Sequence, residues 1–135
     1  MYERILVPLK WDPSDEAVIQ QARSLGRLSG GRVTLLHVVH SHSRDESAYL
    51  QERGRRHLRE EAARIDAAGV PVDTRVVLGE PAEAISAVAE EISADLIVMA
   101  THGHSEMRHV FAGSVTEDVV RQSKVPVLLV RPFSD

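Results

Sequence analysis

The chain has 135 residues, of which 43% are hydrophobic and 27% charged, with a formal net charge of -4 and no cysteine. That length suits one domain over residues 1–135 with a single substantial core. Absent cysteine excludes a disulfide framework and a thiolate metal site, and a net acidic chain lacks the basic surface that general nucleic-acid binding needs. The opening MYERILVPLK brackets a short apolar run with charges, unlike a signal peptide, and no later run approaches membrane-spanning length. These features predict a cytoplasmic protein with neither a membrane nor a nucleic-acid partner.

Arg4 to Leu9 reads as a first buried strand, with Pro8 near its margin, where a missing backbone donor is tolerated. Asp12, Pro13 and Asp15 carry helix-start signals: an N-cap acid, a proline at the first helical position and an acid at the third. That helix is expected to turn Ala17, Ala22, Leu25 and Leu28 inward and to stop at Gly30-Gly31. Val33 to Val39 follows as a second strand. Ser43 and Glu46 form a capping box opening a long helix with an inner stripe at Leu50, Gly54, Leu58, Ala62 and Ile65. Its basic cluster, Arg53 to Arg59, is flanked by Glu52, Glu60 and Glu61 and reads as a solvated face laced with ion pairs.

Gly69 ends that helix, and the alternation through Val72 to Leu78 predicts a less buried third strand. Pro81 starts a third helix whose apolar face is Ala82, Ile85, Val88 or Ala89, and Ile92. The run Leu96 to Ala100 is short and continuous, as in a strand buried on both faces. Gly103 follows it, and Gly113-Ser114-Val115-Thr116-Glu117 has the form of a capped helix start, with Val119 and Val120 continuing the helix. Val127 to Val130 is the last strand.

Strands alternating with helices imply a three-layer α/β/α sandwich around a parallel sheet with right-handed crossovers. In such sheets ligands bind beyond the carboxyl ends of the strands, where the strand order reverses. Strand, glycine, loop, glycine and helix start over 95–116 are the parts of a phosphate cradle, with free N–H groups and a helix dipole facing one space. As an apolar edge, Val127-Leu128-Leu129-Val130 invites burial against a second copy, so a homodimer is expected.

From Ile5-Leu6-Val7-Pro8 to Val125-Pro126-Val127-Leu128-Leu129-Val130, the chain resembles the universal stress protein family. Nucleotide-binding members carry Gly-x2-Gly-x9-Gly-[Ser/Thr], and the same frame here reads Ala100-x2-Gly103-x9-Gly113-Ser114. The resemblance implies a Rossmann-like sheet of five parallel strands, order 3-2-1-4-5, of the adenine nucleotide alpha hydrolase-like type. It also implies pairing of two copies through the last strand and a regulatory role in stress responses with ATP, and Mg with it, as ligand. The implied ligand contacts are apolar and nucleoside-facing at Pro8, Leu9, Val38 and Met99, and phosphate-facing at Gly103, Gly113, Ser114, Val115 and Thr116. His104 and Arg108 add positive charge in the same loop.

Two positions depart from the family pattern. Lys10 stands where relatives place an aspartate that accepts hydrogen bonds from the nucleoside, and an ammonium has no acceptor. Ala100 replaces the first glycine. A second reading is therefore a dimer that has lost or changed its nucleotide and acts through its surface or another anion, with Lys10 as counter-charge. Trp11 either stacks on a base or, the favoured reading, packs on the following helix with its N–H at the surface; Asp12 reads as that helix's cap. A third reading takes His37, His40, His42, His102 and His104 as a metal site at one sheet edge. No catalytic residue is assigned: there is no P-loop lysine motif, cysteine nucleophile or serine elbow. Any nucleotide hydrolysis should be slow, and the regulatory protein partner is not specified by these residues.

Overall fold

The computed structural model describes residues 2–101 and 115–132. Among these residues five strands alternate with four helices: β1 Arg4–Pro8, α1 Asp15–Ser29, β2 Arg32–Val39, α2 Arg44–Asp66, β3 Val72–Leu78, α3 Pro81–Glu91, β4 Leu96–Ala100, α4 Val115–Gln122 and β5 Val127–Val130. All neighbouring strands pair in parallel, in the order β3-β2-β1-β4-β5. β1 is thus central although it comes first in the chain. Its register is pinned at the amino end by Asp95, whose carboxylate accepts from the Glu3 N–H at 2.8 Å and the Arg4 N–H at 3.0 Å.

Successive residues of β1 and β4 feed opposite faces of the sheet, which is why both strands read as unbroken apolar runs. Ile5, Val7, Leu96 and Val98 pack with Ala17, Val18, Leu58 and Ile65 of α1 and α2. Leu6, Ile97 and Met99 pack with Ile85, Val88 and Val119 of α3 and α4. Fully burying each such branched side chain contributes about 1.5–3 kcal/mol, so the two cores fix which face each helix covers. β3, at the open edge, is only half-buried.

Three local expectations are corrected. The first helix begins at Asp15, not at Pro13: Asp12 to Ser14 form a turn in which the Asp12 carboxylate accepts from the Ser14 N–H at 2.8 Å, and the Asp15 N–H donates to the Asp12 carbonyl at 3.0 Å. Leu28 is 84% exposed, since the buried face of α1 is made by Ala17, Val18, Ile19, Ala22 and Gly26. Val120 is exposed as well, and Thr116 and Val119 form the buried stripe of α4. Gly30 takes the left-handed conformation, φ 69°, and its N–H closes α1 onto the Gly26 carbonyl. At the start of α2 the box is half-made: Ser43 Oγ accepts from the Glu46 N–H at 3.0 Å, while the Glu46 carboxylate takes the Ser41 hydroxyl at 2.7 Å.

Candidate functional site

The strand order reverses between β1 and β4, and the carboxyl ends of these strands with β2 open onto a cavity of about 330 Å³. Volumes of this order hold small-molecule ligands. Its walls are mostly apolar: Pro8, Leu9, Leu36 and Val38 from β1, β2 and the turn after β1, Val18 from α1, Pro81 and Ile85 from α3, Met99 and Ala100 from β4, and Val115 from α4. Lys10, Asp15, His37 and Thr116 complete the lining. Of the residues proposed from sequence, Pro8, Leu9, Lys10, Val38, Met99, Val115 and Thr116 thus converge from four elements onto one space. Gly103, His104, Gly113 and Ser114, with His102 and Arg108, lie outside the described residues.

The polar residue that sequence reasoning passed over is Asp15. It is only 7% exposed, and its two carboxylate oxygens fold back over the preceding loop to accept the Lys10 N–H at 2.9 Å and the Trp11 N–H at 2.7 Å. Burial pushes its pKa up, and the two N–H bonds oppose that rise without cancelling it. The sequence marked Asp15 only as a helix-start acid. A carboxylate four and five residues after two loop amides, at the mouth of a buried strand, is the signal that could have found it.

This clasp explains the shape of the loop. Trp11 is held at φ 65°, a left-handed backbone that non-glycine residues seldom adopt. The reversed chain brings the indole onto β2 and α2. It stacks on His37 with ring centroids 3.7 Å apart and planes 12° from parallel, and meets the His57 ring edge-on at 5.2 Å. Gly54 makes the room: a Cβ there would sit 3.3 Å from both His37 Cδ2 and Trp11 Cζ2. The expected packing on the following helix is therefore corrected. The indole N–H is buried and has no hydrogen-bond partner among the described residues, and Trp11 lies outside the cavity lining.

His37 Nδ1 lies 3.4 Å from the Leu9 carbonyl, and burial lowers the imidazole's pKa below its ordinary value. The ring is thereby kept neutral between strand and indole. His40 and His42 are 5.5 Å apart in ring centroids, and His40 Nε2 is 3.2 Å from a Glu80 carboxylate oxygen. Among the described residues no group of three or more potential ligands could hold a metal ion. The Thr116 hydroxyl donates to the Ala100 carbonyl at 3.2 Å, tying the first turn of α4 to the end of β4.

The model of the Universal stress protein family matches residues 1–131. The chain belongs to that family. A relative of known structure, MJ0577 from Methanocaldococcus jannaschii, is 28% identical over 97% of this chain and 96% of its own length, and the solved fold superposes with a TM-score of 0.88 over 100% and 99% of the two chains at 27% identity. A universal stress protein solved in complex with cAMP gives a TM-score of 0.79 at 28% identity, covering 98% of each chain. One from Archaeoglobus fulgidus in complex with dAMP gives 0.75 at 25% identity, covering 96% of this chain and 98% of its own. Universal stress proteins thus include members of this fold that hold adenine mononucleotides.

Proposed function

We propose that this universal stress protein is a nucleotide-binding regulatory module, with an adenine nucleotide in the cavity between the loop after β1 and the start of α4. The observation that carries the reading is the convergence of four elements on the place where the strand order reverses, where parallel α/β sheets take their ligands. Apolar walls from Leu9, Val38, Met99 and Ile85 suit a base, and the start of α4 offers the positive end of a helix to a phosphate. The relatives holding cAMP and dAMP supply the ligand class by analogy. ATP belongs to that class. Magnesium would come with its phosphates, because Asp15, the one carboxylate lining the cavity among the described residues, already has both oxygens on backbone N–H groups.

The same commitment of Asp15 speaks for binding without turnover, since a general base needs a free acceptor near the attacked atom. We take residues 1–135 as one domain acting in the cytoplasm, paired with a second copy through β5, whose Leu128 and Leu129 are exposed. A protein partner would sense ligand-dependent order at the cavity. Lys10 motivates a second reading, in which the fold and dimer persist and the nucleotide has been exchanged for another anion. Calorimetric titration with AMP, cAMP and MgATP tests both. Binding in the micromolar range, lost in Val115→Glu, supports the first; no heat from any of the three at millimolar concentration overturns it in favour of the second.

A further inference from the structure

Beyond Leu9 the sheet no longer holds the chain. The Leu9 N–H donates to the Leu36 carbonyl at 2.9 Å, and the next two N–H groups, of Lys10 and Trp11, turn to the Asp15 carboxylate at 2.9 and 2.7 Å. Asp15 opens α1, and Val18, one turn further on, lines the same cavity. The loop is thus drawn against a helix through one charged group. Trp11, at φ 65°, has a backbone conformation that persists only where its surroundings over-determine it. Those surroundings are the N–H bond to Asp15 and the stack of the indole on His37. Leu9, Lys10, Asp15 and His37 all line the cavity, so the shape of this wall depends on the state of the Asp15 carboxylate. Ionised, it accepts at both oxygens. Protonated, one oxygen becomes a hydroxyl, a donor facing an N–H.

Asp15 also borders a second space, of about 510 Å³, between the loop, α1 and α2. The titratable and charged groups around the two spaces are Lys10 and Asp12 on the loop and Glu16 on α1, with His37 on β2 and Arg53, His57 and Glu61 on α2. Burial opposes the ionised form of Asp15 most, Asp12 adds to that, and His57 works the other way. On the nucleotide reading above, on which this inference rests, we infer that Asp15 is a proton-operated positioning residue for the ligand. Ionised, it holds residues 9–11 as a wall of the cavity; protonated, it releases that wall and weakens binding. Proton and ligand then oppose each other reciprocally: the factor by which a proton on Asp15 lowers ligand affinity is the factor by which ligand lowers the affinity of Asp15 for its proton.

The test takes whichever of AMP, cAMP and MgATP binds the whole protein most tightly at pH 7 and titrates it into wild type and Asp15→Asn, from pH 7 down towards the ordinary aspartate value of 3.8. Asn stands in for the neutral acid, and any titration of the ligand itself is common to both proteins. Wild type should bind about tenfold more tightly at pH 7, as loss of one charge-assisted bond implies. That ratio should fall towards one as pH drops through the midpoint of Asp15. Burial makes the stability of wild type relative to Asp15→Asn run the opposite way with pH, so a purely structural role cannot produce this profile. The profile should persist in His37→Asn and His57→Gln backgrounds. Without any variant, carbon-13 NMR of the Asp15 carboxyl should give a lower midpoint in the ligand-saturated protein than in the free one. A ratio that does not change with pH, a profile abolished by removing either histidine, or a midpoint that ligand leaves unmoved or raises would overturn the inference while the nucleotide reading stands. If none of the three ligands binds the wild type at pH 7, that reading itself falls and takes this inference with it.

Discussion

Replacing Asp15 by Asn separates the two opposing effects at the clasp. Each carboxylate oxygen accepts one backbone N–H, at 2.9 Å from Lys10 and 2.7 Å from Trp11, and bonds to a charged acceptor contribute about 1.5–3 kcal/mol apiece. The amide keeps one acceptor and turns its own N–H₂ towards the other donor, so one bond is lost and one donor is left facing another. Against this, Asn buries no charge, and the raised pKa of Asp15 says that burial outweighs the two bonds in choosing between ionised and neutral forms. The expected net cost at pH 7 is about 1–2 kcal/mol, read from urea denaturation of wild type and variant.

The pH dependence sets the sign. Because Asp15 holds its proton more tightly when folded, the folded state binds more protons than the unfolded state between the ordinary value of 3.8 and the raised one. Wild-type stability should therefore fall, relative to Asp15→Asn, as pH rises through that window, and the advantage of the wild type should be larger at its acid end than at pH 7. An advantage that instead grows as pH rises through the window would refute the claim that burial dominates. A variant within about 0.3 kcal/mol of wild type across the range would refute the clasp itself.

Gly54→Ala should lower stability by about 1 kcal/mol, since a gain of roughly 1 kcal/mol in helix propensity meets overpacking of about 1–3 kcal/mol against His37 and Trp11; thermal unfolding measures it. His37 has a depressed folded pKa, so it contributes stability at pH above its ordinary 6.5 that is lost as pH falls through the lowered value. Proton NMR should place its midpoint below that of a model imidazole, and His37→Asn should lack the corresponding acid-side loss. A midpoint at or above 6.5 would mean the ring is not held neutral by burial. Leu129→Glu puts a charge on the exposed face of β5; sedimentation velocity should report a monomer where the wild type sediments as a dimer, and an unchanged dimer would place the interface elsewhere.

The layered sheet was legible in the sequence because its signals are local. β4 is a five-residue apolar run that fits only a strand covered on both faces, and Pro81 and Gly30 punctuate helices as their backbones require. Strand order came from resemblance, since the pairing of β1 with β4 joins residues about 90 positions apart and leaves no periodic trace. At the site, Pro8, Leu9, Val38 and Met99 were accessible through the family pattern. Val18 and Ile85 were not, because a helix's apolar stripe does not say which of its residues stop short of the core and face a cavity. Trp11 was misplaced for a further reason: its left-handed φ goes with the N–H bond it gives to Asp15 four positions on, and a bulky residue carries no advance sign of such a conformation.

The central place of β1 also bears on how the protein is made. A chain synthesised from its amino end releases β1 first, yet one edge of that strand stays unpaired until Leu96 and Ile97 emerge. The cavity cannot close before α4 follows. During synthesis, therefore, an apolar strand waits for most of the chain's length with an open edge, a setting that favours association with other emerging chains or with chaperones. On the proposed function, the nucleotide site is complete only once β4 and α4 have joined β1.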